Sequence, residues 1–386
     1  MSEGTPASST SAEALHCPTC GAEVHAGDSF CEACGTSLAF AAPIDGEGQP
    51  VSGDDDLLES PITLSRSIEQ QPGDTSEEMS DTVVVARRGC TSCGGPVGPD
   101  GYCEVCGTKA PSERDHYTEQ PAAWVASCCD RGVRHHRNED ASALAAEPEP
   151  GSRAVLVVCD GVSTSTDSDV ASLAAARAAR DVLVAHRPAG IGLPASRTAA
   201  LASAIEASVA VANDAVIANT APNSPNAASC TFAAAVVVGS SVTFGNIGDS
   251  RVYWIPDPGD DTPRLLSVDD SVAQLRIDSG VSREEAEAGP QAHAITKWLG
   301  RDAPDIAPTT GSIELGSPGW VVACTDGLWN YVSEPDALQT LIADQTAALG
   351  GGAGEGVDPL PLSEALVRWA CDQGGKDNIT VALARH

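Results

Sequence analysis

Hydrophobic positions are sparse and aperiodic up to about residue 121 and densely patterned from about 122 to 386. In the patterned part, Val155-Leu-Val-Val-Cys159, Thr231-Phe-Ala-Ala-Ala-Val-Val-Val238 and Val321-Val-Ala-Cys324 are short continuous apolar runs. Such runs predict strands buried on both faces. Ser241–Ile247 and Arg251–Ile255 flank Gly248-Asp249-Ser250, which predicts a hairpin. Residues 168–186 and 196–219 are alanine-rich without internal Gly or Pro and predict two long helices. Strands and helices come in blocks rather than in strict alternation. The pattern therefore predicts one α+β domain over 122–386.

The first part reads differently. Residues 41 to 86 carry eleven acids, one arginine and no aromatic residue. Such a stretch cannot bury enough surface to offset chain entropy, so residues 39–88 are read as an acidic disordered linker. A repeated module flanks it. Cys17-Pro-Thr-Cys20-Gly leads to Cys31-Glu-Ala-Cys34-Gly-Thr, and Cys90-Thr-Ser-Cys93-Gly leads to Cys103-Glu-Val-Cys106-Gly-Thr. A CxxC turn offers two thiolates to one ion, and two turns complete a tetrahedral Zn(Cys)4 site. The glycine after each pair lets the backbone turn tightly. Modules 15–38 and 89–110 are each expected to bind one structural Zn2+, which supplies the folding energy so short a segment lacks. Their spacing resembles double zinc ribbons.

Acids outnumber bases 54 to 22, a formal charge of −32. That excludes a nucleic-acid binder working by phosphate neutralisation and disfavours an anionic membrane surface. The first ribbon has no Lys or Arg between Cys17 and Cys34, so docking to protein is expected of it. No run of about 18 apolar residues predicts a membrane span. The first twenty residues lack the basic start and apolar stretch of a signal peptide, and a cytoplasmic location is expected. Reduced cytosolic thiols favour metal over disulfides. Cys128, Cys129, Cys159, Cys230, Cys324 and Cys371 are scattered and read as small core or surface residues.

Acidic residues recur at the predicted strand ends: Asn138-Glu139-Asp140, Asp160-Gly161, Gly248-Asp249-Ser250-Arg251, Asp326-Gly327-Leu328-Trp329 and Asp377-Asn378-Ile379-Thr380. Strands need no carboxylate at their tips. Carboxylates gathered away from water repel one another, so a cluster implies cations. Oxygen ligands select Mg2+ or Mn2+.

In order, these segments resemble the N-E-D, D-G, G-D-S-R, D-G-hydrophobic-W and D-N-I-T signatures of the PPM (PP2C-like) metal-dependent serine/threonine phosphatases. Leu266–Ser271 and Ile295–Gly300 resemble two further family segments, and the likeness covers about residues 124 to 386. The resemblance implies an α-β-β-α sandwich of two antiparallel sheets flanked by helices. It implies that Asp160 bridges two metals with the Gly161 carbonyl as a ligand, that Asp326 and Asp377 hold one metal, and that Glu139 or Asp140 completes the ligands of the second. Asp249 would join Asp326 at a weaker third site. Two cations acidify a shared water, which attacks phosphorus in phosphoserine or phosphothreonine without a protein nucleophile.

The chain departs from the family in places. His135 stands where the family has its phosphate-binding arginine, between Arg134 and Arg137. Arg134 is expected to contact phosphate. His135 and His136 are candidate general acids, or simply a solvated basic turn. Val162-Ser163-Thr164 follows Asp160-Gly161 in place of the family's histidine or Met-Gly-Gly, so that proton donor is missing. A Cys-x5-Arg spacing from Cys128 to Arg134 hints at a cysteine phosphatase, but its interior lacks the free amides of a phosphate cradle. The altered phosphate region keeps a phosphoprotein-binding pseudophosphatase as the alternative function. Thr82, after an acidic stretch, is a candidate kinase target for a phosphothreonine-binding domain. An alanine-rich, lysine-poor composition points to a high-GC bacterium and hence to a partner serine/threonine kinase.

Overall fold

The computed structural model describes residues 15–16, 23–24, 93–98, 101–108, 110, 112–187, 194–259, 261–289, 291–351 and 357–386. The chain divides into two compact units, Met1–Ala110 and Pro111–His386. In the first, β1 (Leu15–His16) pairs antiparallel with β2 (Glu23–Val24). Cys17, Cys20, Cys31, Cys34, Cys90, the linker 39–88 and Thr82 lie outside the described residues.

The second unit opens with β3 (His116–Ala122), β4 (Val125–Asp130), β5 (Ala141–Ala146) and β6 (Ala154–Cys159), then α1 (Ser168–Ala185) and α2 (Pro194–Ala218). Next come β7 (Ser229–Cys230), β8 (Phe232–Val238), β9 (Ser241–Ile247), β10 (Arg251–Pro256) and β11 (Arg264–Leu265). Two short helices, α3 (Val272–Asp278) and α4 (Arg283–Glu287), precede β12 (Leu299–Gly300), β13 (Thr309–Glu314) and β14 (Gly319–Cys324). The unit ends with α5 (Asp326–Trp329), α6 (Pro335–Ala348), α7 (Pro359–Asp372) and β15 (Ile379–Arg385).

The strands form a six-stranded sheet in the order β11-β10-β14-β15-β4-β3 and a five-stranded sheet in the order β13-β9-β8-β6-β5, with β12-β7 as a separate pair. Neighbouring strands in both sheets run antiparallel. Strand β6 shows why two layers form. Successive side chains point to opposite faces. Leu156 and Val158 pack with Trp254, Val321 and Ala382 between the sheets. Val155, Val157 and Cys159 pack against α1 and α2. On the other side, Leu338, Leu341, Leu362 and Leu366 of α6 and α7 cover Val322, Val381 and Leu383. This is the α-β-β-α sandwich.

Both predicted long helices are present, and their alanines pack. Ala171, Ala175 and Ala179 recur one turn apart on the buried face of α1. Helix α2 is long and apolar enough to cross a membrane, but it lays Leu201, Ile205, Val209, Ala212 and Val216 into the core of the unit.

Two expectations are corrected. The hairpin across residues 248–250 does not form. Strand β9 pairs with β8 and β13, whereas β10 pairs with β14 and β11. Gly248-Asp249-Ser250 carries the chain from one sheet to the other. Gly248 has φ +86°, and Asp270 holds the corner: its Oδ2 accepts from Gly248 N at 3.1 Å and its N donates to Gly248 O at 2.8 Å. Both strands are buried on both faces, so each is central to its own sheet. The folded unit also starts at Pro111 rather than 122. Strand β3 lies beside β4 at the sheet edge, and its polar sequence HYTEQPA carries no apolar run to mark it.

Candidate active site

Strand ends of both sheets bring the motif aspartates together. Asp140 leads into β5 and Asp160 follows β6. Asp326 follows β14, Asp377 precedes β15, and Asp249 lies in the crossover. Asp140 is fully buried; its Oδ2 accepts from Thr325 Oγ1 at 2.7 Å and Thr380 Oγ1 at 2.8 Å. Thr325 is itself placed by Thr380 N, which donates to its Oγ1 at 3.0 Å. Asp326 Oδ2 accepts from Asn330 Nδ2 at 3.0 Å. Asp377 Oδ1 accepts from Asn378 N at 2.8 Å.

These carboxylates feel one another. Burial, and then the charges of Asp140, Asp326, Asp377 and Asp249, hold Asp160 well above the usual carboxylate range. Burial followed by Asp377, Asp249 and Asp140 does the same to Asp326. Burial pushes Asp140 up to about 7 against the pull of its two threonine hydroxyls. It pushes Asp249 to about 7 as well, with Asp269 adding and Arg251 opposing. Among the described residues, Asp140 Oδ1 and Asp326 Oδ1 are buried without any hydrogen-bond partner. Orphaned buried oxygens in a nest of repelling carboxylates are what a bound cation would satisfy. An all-oxygen donor set suits Mn2+ or Mg2+.

Of the pair left open by the sequence, Asp140 stands in the cluster. Glu139 Oε1 is taken by Arg137, at 2.7 Å from Nη2 and 3.1 Å from Nε, and by Ser168 Oγ. Its Oε2 lies 3.9 Å from His135 Nδ1. Gly161 fits beside this turn because it has no side chain. Its N donates to Glu139 O at 3.1 Å, and a Cβ there would stand 2.7 Å from that same oxygen.

Asn378 ties the turn to β15. Its Oδ1 accepts from Glu139 N at 2.8 Å, and its Nδ2 donates to Arg131 O at 2.8 Å and Arg137 O at 3.1 Å. Arg137 is committed to Glu139, Ser165 and Ser168. Arg134 and His136 are exposed, and Arg134 N donates to Gly375 O at 3.2 Å. His135 Nε2 lies 3.2 Å from Asp377 Oδ1. A cleft of about 310 Å³ opens over Asp377, lined by His293, Gly327, Asn330, Tyr331 and Lys376. Cys128 is fully buried in β4 and burial pushes its thiol far up, which removes it as a nucleophile.

The sequence reading gave no role to Thr325, Thr380, Asn330 or Asn378. Asn378 and Thr380 belong to the Asp377-Asn378-Ile379-Thr380 segment and Thr325 directly precedes Asp326, and that proximity is the signal the sequence offers.

In the first unit, the sulfurs of Cys93, Cys103 and Cys106 lie within 4.8 Å of one another. Gly94 and Gly107, one after each pair, have φ of +73° and +71°, the left-handed turn that glycine permits. Val105 N points at Cys103 Sγ, 3.4 Å away. Three converging thiols suit Zn2+. The fourth sulfur expected here, that of Cys90, is outside the described residues.

Comparison with known proteins agrees with both halves. The double zinc ribbon family model matches residues 17–116. Protein phosphatase PhpP of Streptococcus pneumoniae is 32% identical over 150 residues, covering 38% of this chain and 54% of that protein. This chain thus spans about half the length of PhpP. Serine/threonine phosphatase stp of Listeria innocua is 26% identical over 262 residues, covering 66% of this chain and 92% of that protein. The solved serine/threonine phosphatase of S. agalactiae shares the fold with TM-score 0.52 and 23% identity, over 69% of this chain and 98% of that one. The protein phosphatase 2C family model matches residues 131–369, more than half of the sequence, and the chain belongs to that family.

Proposed function

We propose that the chain hydrolyses phosphoserine and phosphothreonine in proteins, opposing a bacterial serine/threonine kinase. The observation that carries this reading is the aspartate cluster with two orphaned oxygens, Asp140 Oδ1 and Asp326 Oδ1, beside an open cleft. Asp160, Asp326, Asp377, Asp140 and the Gly161 carbonyl would hold two Mn2+ or Mg2+ ions, with Asp249 near a third. When bound, such ions lower the pKa of a coordinated water and screen phosphate charge.

The chain's own groups do the positioning. Thr325 and Thr380 fix Asp140, Asn330 fixes Asp326, and Asn378 fixes the turn that carries Glu139. Arg134, exposed and with its N donating to Gly375 O at 3.2 Å, would supply a cation for the phosphate in a chain of net charge −32. His135 lies against Asp377 and Glu139, where the family has arginine. The ribbon modules would dock protein partners.

Phosphate release from a phosphothreonine peptide, with and without Mn2+, tests this. Turnover that requires Mn2+ in the full chain and vanishes in Asp160→Asn supports the phosphatase. A folded, Mn2+-loaded chain that binds the peptide without turnover would favour a pseudophosphatase scaffold.

A further inference from the structure

Arg114 lies just ahead of β3, outside the residues 131–369 that carry the family match. Its Nη2 reaches three backbone carbonyls: Asp140 O at 2.8 Å, Asp169 O at 3.1 Å and Asn138 O at 3.4 Å. Asn138 answers, its Nδ2 donating to Arg114 O at 2.8 Å. The other arm of the guanidinium, Nη1, donates to Tyr117 Oη at 3.3 Å, and that hydroxyl accepts from Ser142 N at 2.8 Å. One short segment therefore grips the Asn138–Ser142 backbone from both ends and ties it to the first turn of α1.

The grip matters because of what it holds. Asp140 is the member of the Glu139–Asp140 pair that stands among the carboxylates, and α1 carries Ser168 and Ser172, which bond to Glu139. Charge-assisted bonds to carbonyls are stronger than neutral ones. A ligand group held rigidly loses less freedom when a cation binds.

We propose that Arg114 is a positioning residue for the metal site, so the segment directly after the ribbons is part of the catalytic machinery. This rests on the metal-dependent reading above. The geometry implies that a catalytic fragment starting at residue 122 lacks this clamp.

The test is Mn2+ binding to the full chain, read by calorimetry and by the electron paramagnetic resonance signal of free Mn2+, for wild type, Arg114→Ala and Arg114→Lys. Arg114→Ala is expected to bind Mn2+ about tenfold more weakly, about 1.4 kcal/mol. Saturating Mn2+ should restore most of kcat, and Arg114→Lys should fall in between. If Arg114→Ala does not fold, the comparison of Arg114→Lys with wild type decides, with about threefold weaker binding expected. Mn2+ affinity equal to wild type in the folded variants overturns the proposal while leaving the phosphatase reading intact. A wild-type chain that binds no Mn2+ overturns both.

Discussion

The guanidinium carbon of Arg251 lies over the ring of Trp329, 3.6 Å from its centroid, inside the protein. Trp329 in turn donates from Nε1 to Asp249 O at 2.9 Å, so this contact holds the backbone of one of the clustered aspartates. Arg251 Nη2 also meets Asp269 at 2.6 Å and Glu287 at 2.8 Å.

Removing the cation should strand the buried Asp269, while Glu287 keeps Arg283 at 2.9 Å and Ser333 at 2.9 Å. Arg251→Met is expected to destabilise the chain by about 3–5 kcal/mol in urea unfolding, the usual cost of an uncompensated buried charge. A loss below about 1 kcal/mol would show that Asp269 finds another partner or a proton.

Gly161→Ala tests the close approach of backbone to the Glu139 turn. The new methyl would press on Glu139 O at 2.7 Å and on Ser168 Cβ at 3.0 Å. Overpacking of this kind costs about 1–3 kcal/mol, and Mn2+-dependent turnover should fall with it. Thermal unfolding and kinetics of the same variant check both halves.

Thr325→Val removes a hydroxyl that donates to the fully buried Asp140. Loss of a hydrogen bond to a charged group should cost about 1.5–3 kcal/mol when Asp140 is ionised. Mn2+ titration of the variant should show weaker binding than wild type. Unchanged affinity would mean Thr380 alone suffices.

The metal-free chain should respond to pH in a definite direction. Asp140 and Asp249 are raised to about 7 and Asp160 and Asp326 well above their ordinary values, so the folded state holds protons that the unfolded chain releases near pH 4. Their contribution is fully present below about pH 4 and is lost as pH rises through 7. Tm of the chelator-treated protein should therefore fall between pH 5 and 8, and Mn2+ should raise Tm more at pH 8 than at pH 5.5. A Tm that rises over this range without metal would contradict the cluster.

Zinc analysis addresses the ribbons. Purified protein should carry two zinc ions per chain, and Cys103→Ser should lower this to one. The three sulfurs already within 4.8 Å account for the affected site.

The residues themselves determined the apolar runs of β6, β8 and β14, the spans of α1 and α2, and the order of the aspartate motifs. These are local properties: burial on both faces forces continuous apolar residues, and a helix needs an unbroken stretch of good formers. The cysteine spacing was legible for the same reason, since one ion demands short-range geometry. What only the tertiary structure decided depends on partners far apart in sequence. Strands β9 and β10 enter different sheets because each finds its ladder neighbours elsewhere in the chain. Asp140 rather than Glu139 stands in the cluster because Arg137 and Ser168 of α1 claim Glu139, while Thr325 and Thr380 receive Asp140. Arg114 has no motif around it; its place is set by carbonyls 24, 26 and 55 residues away, and contacts at that distance leave no pattern in neighbouring residues.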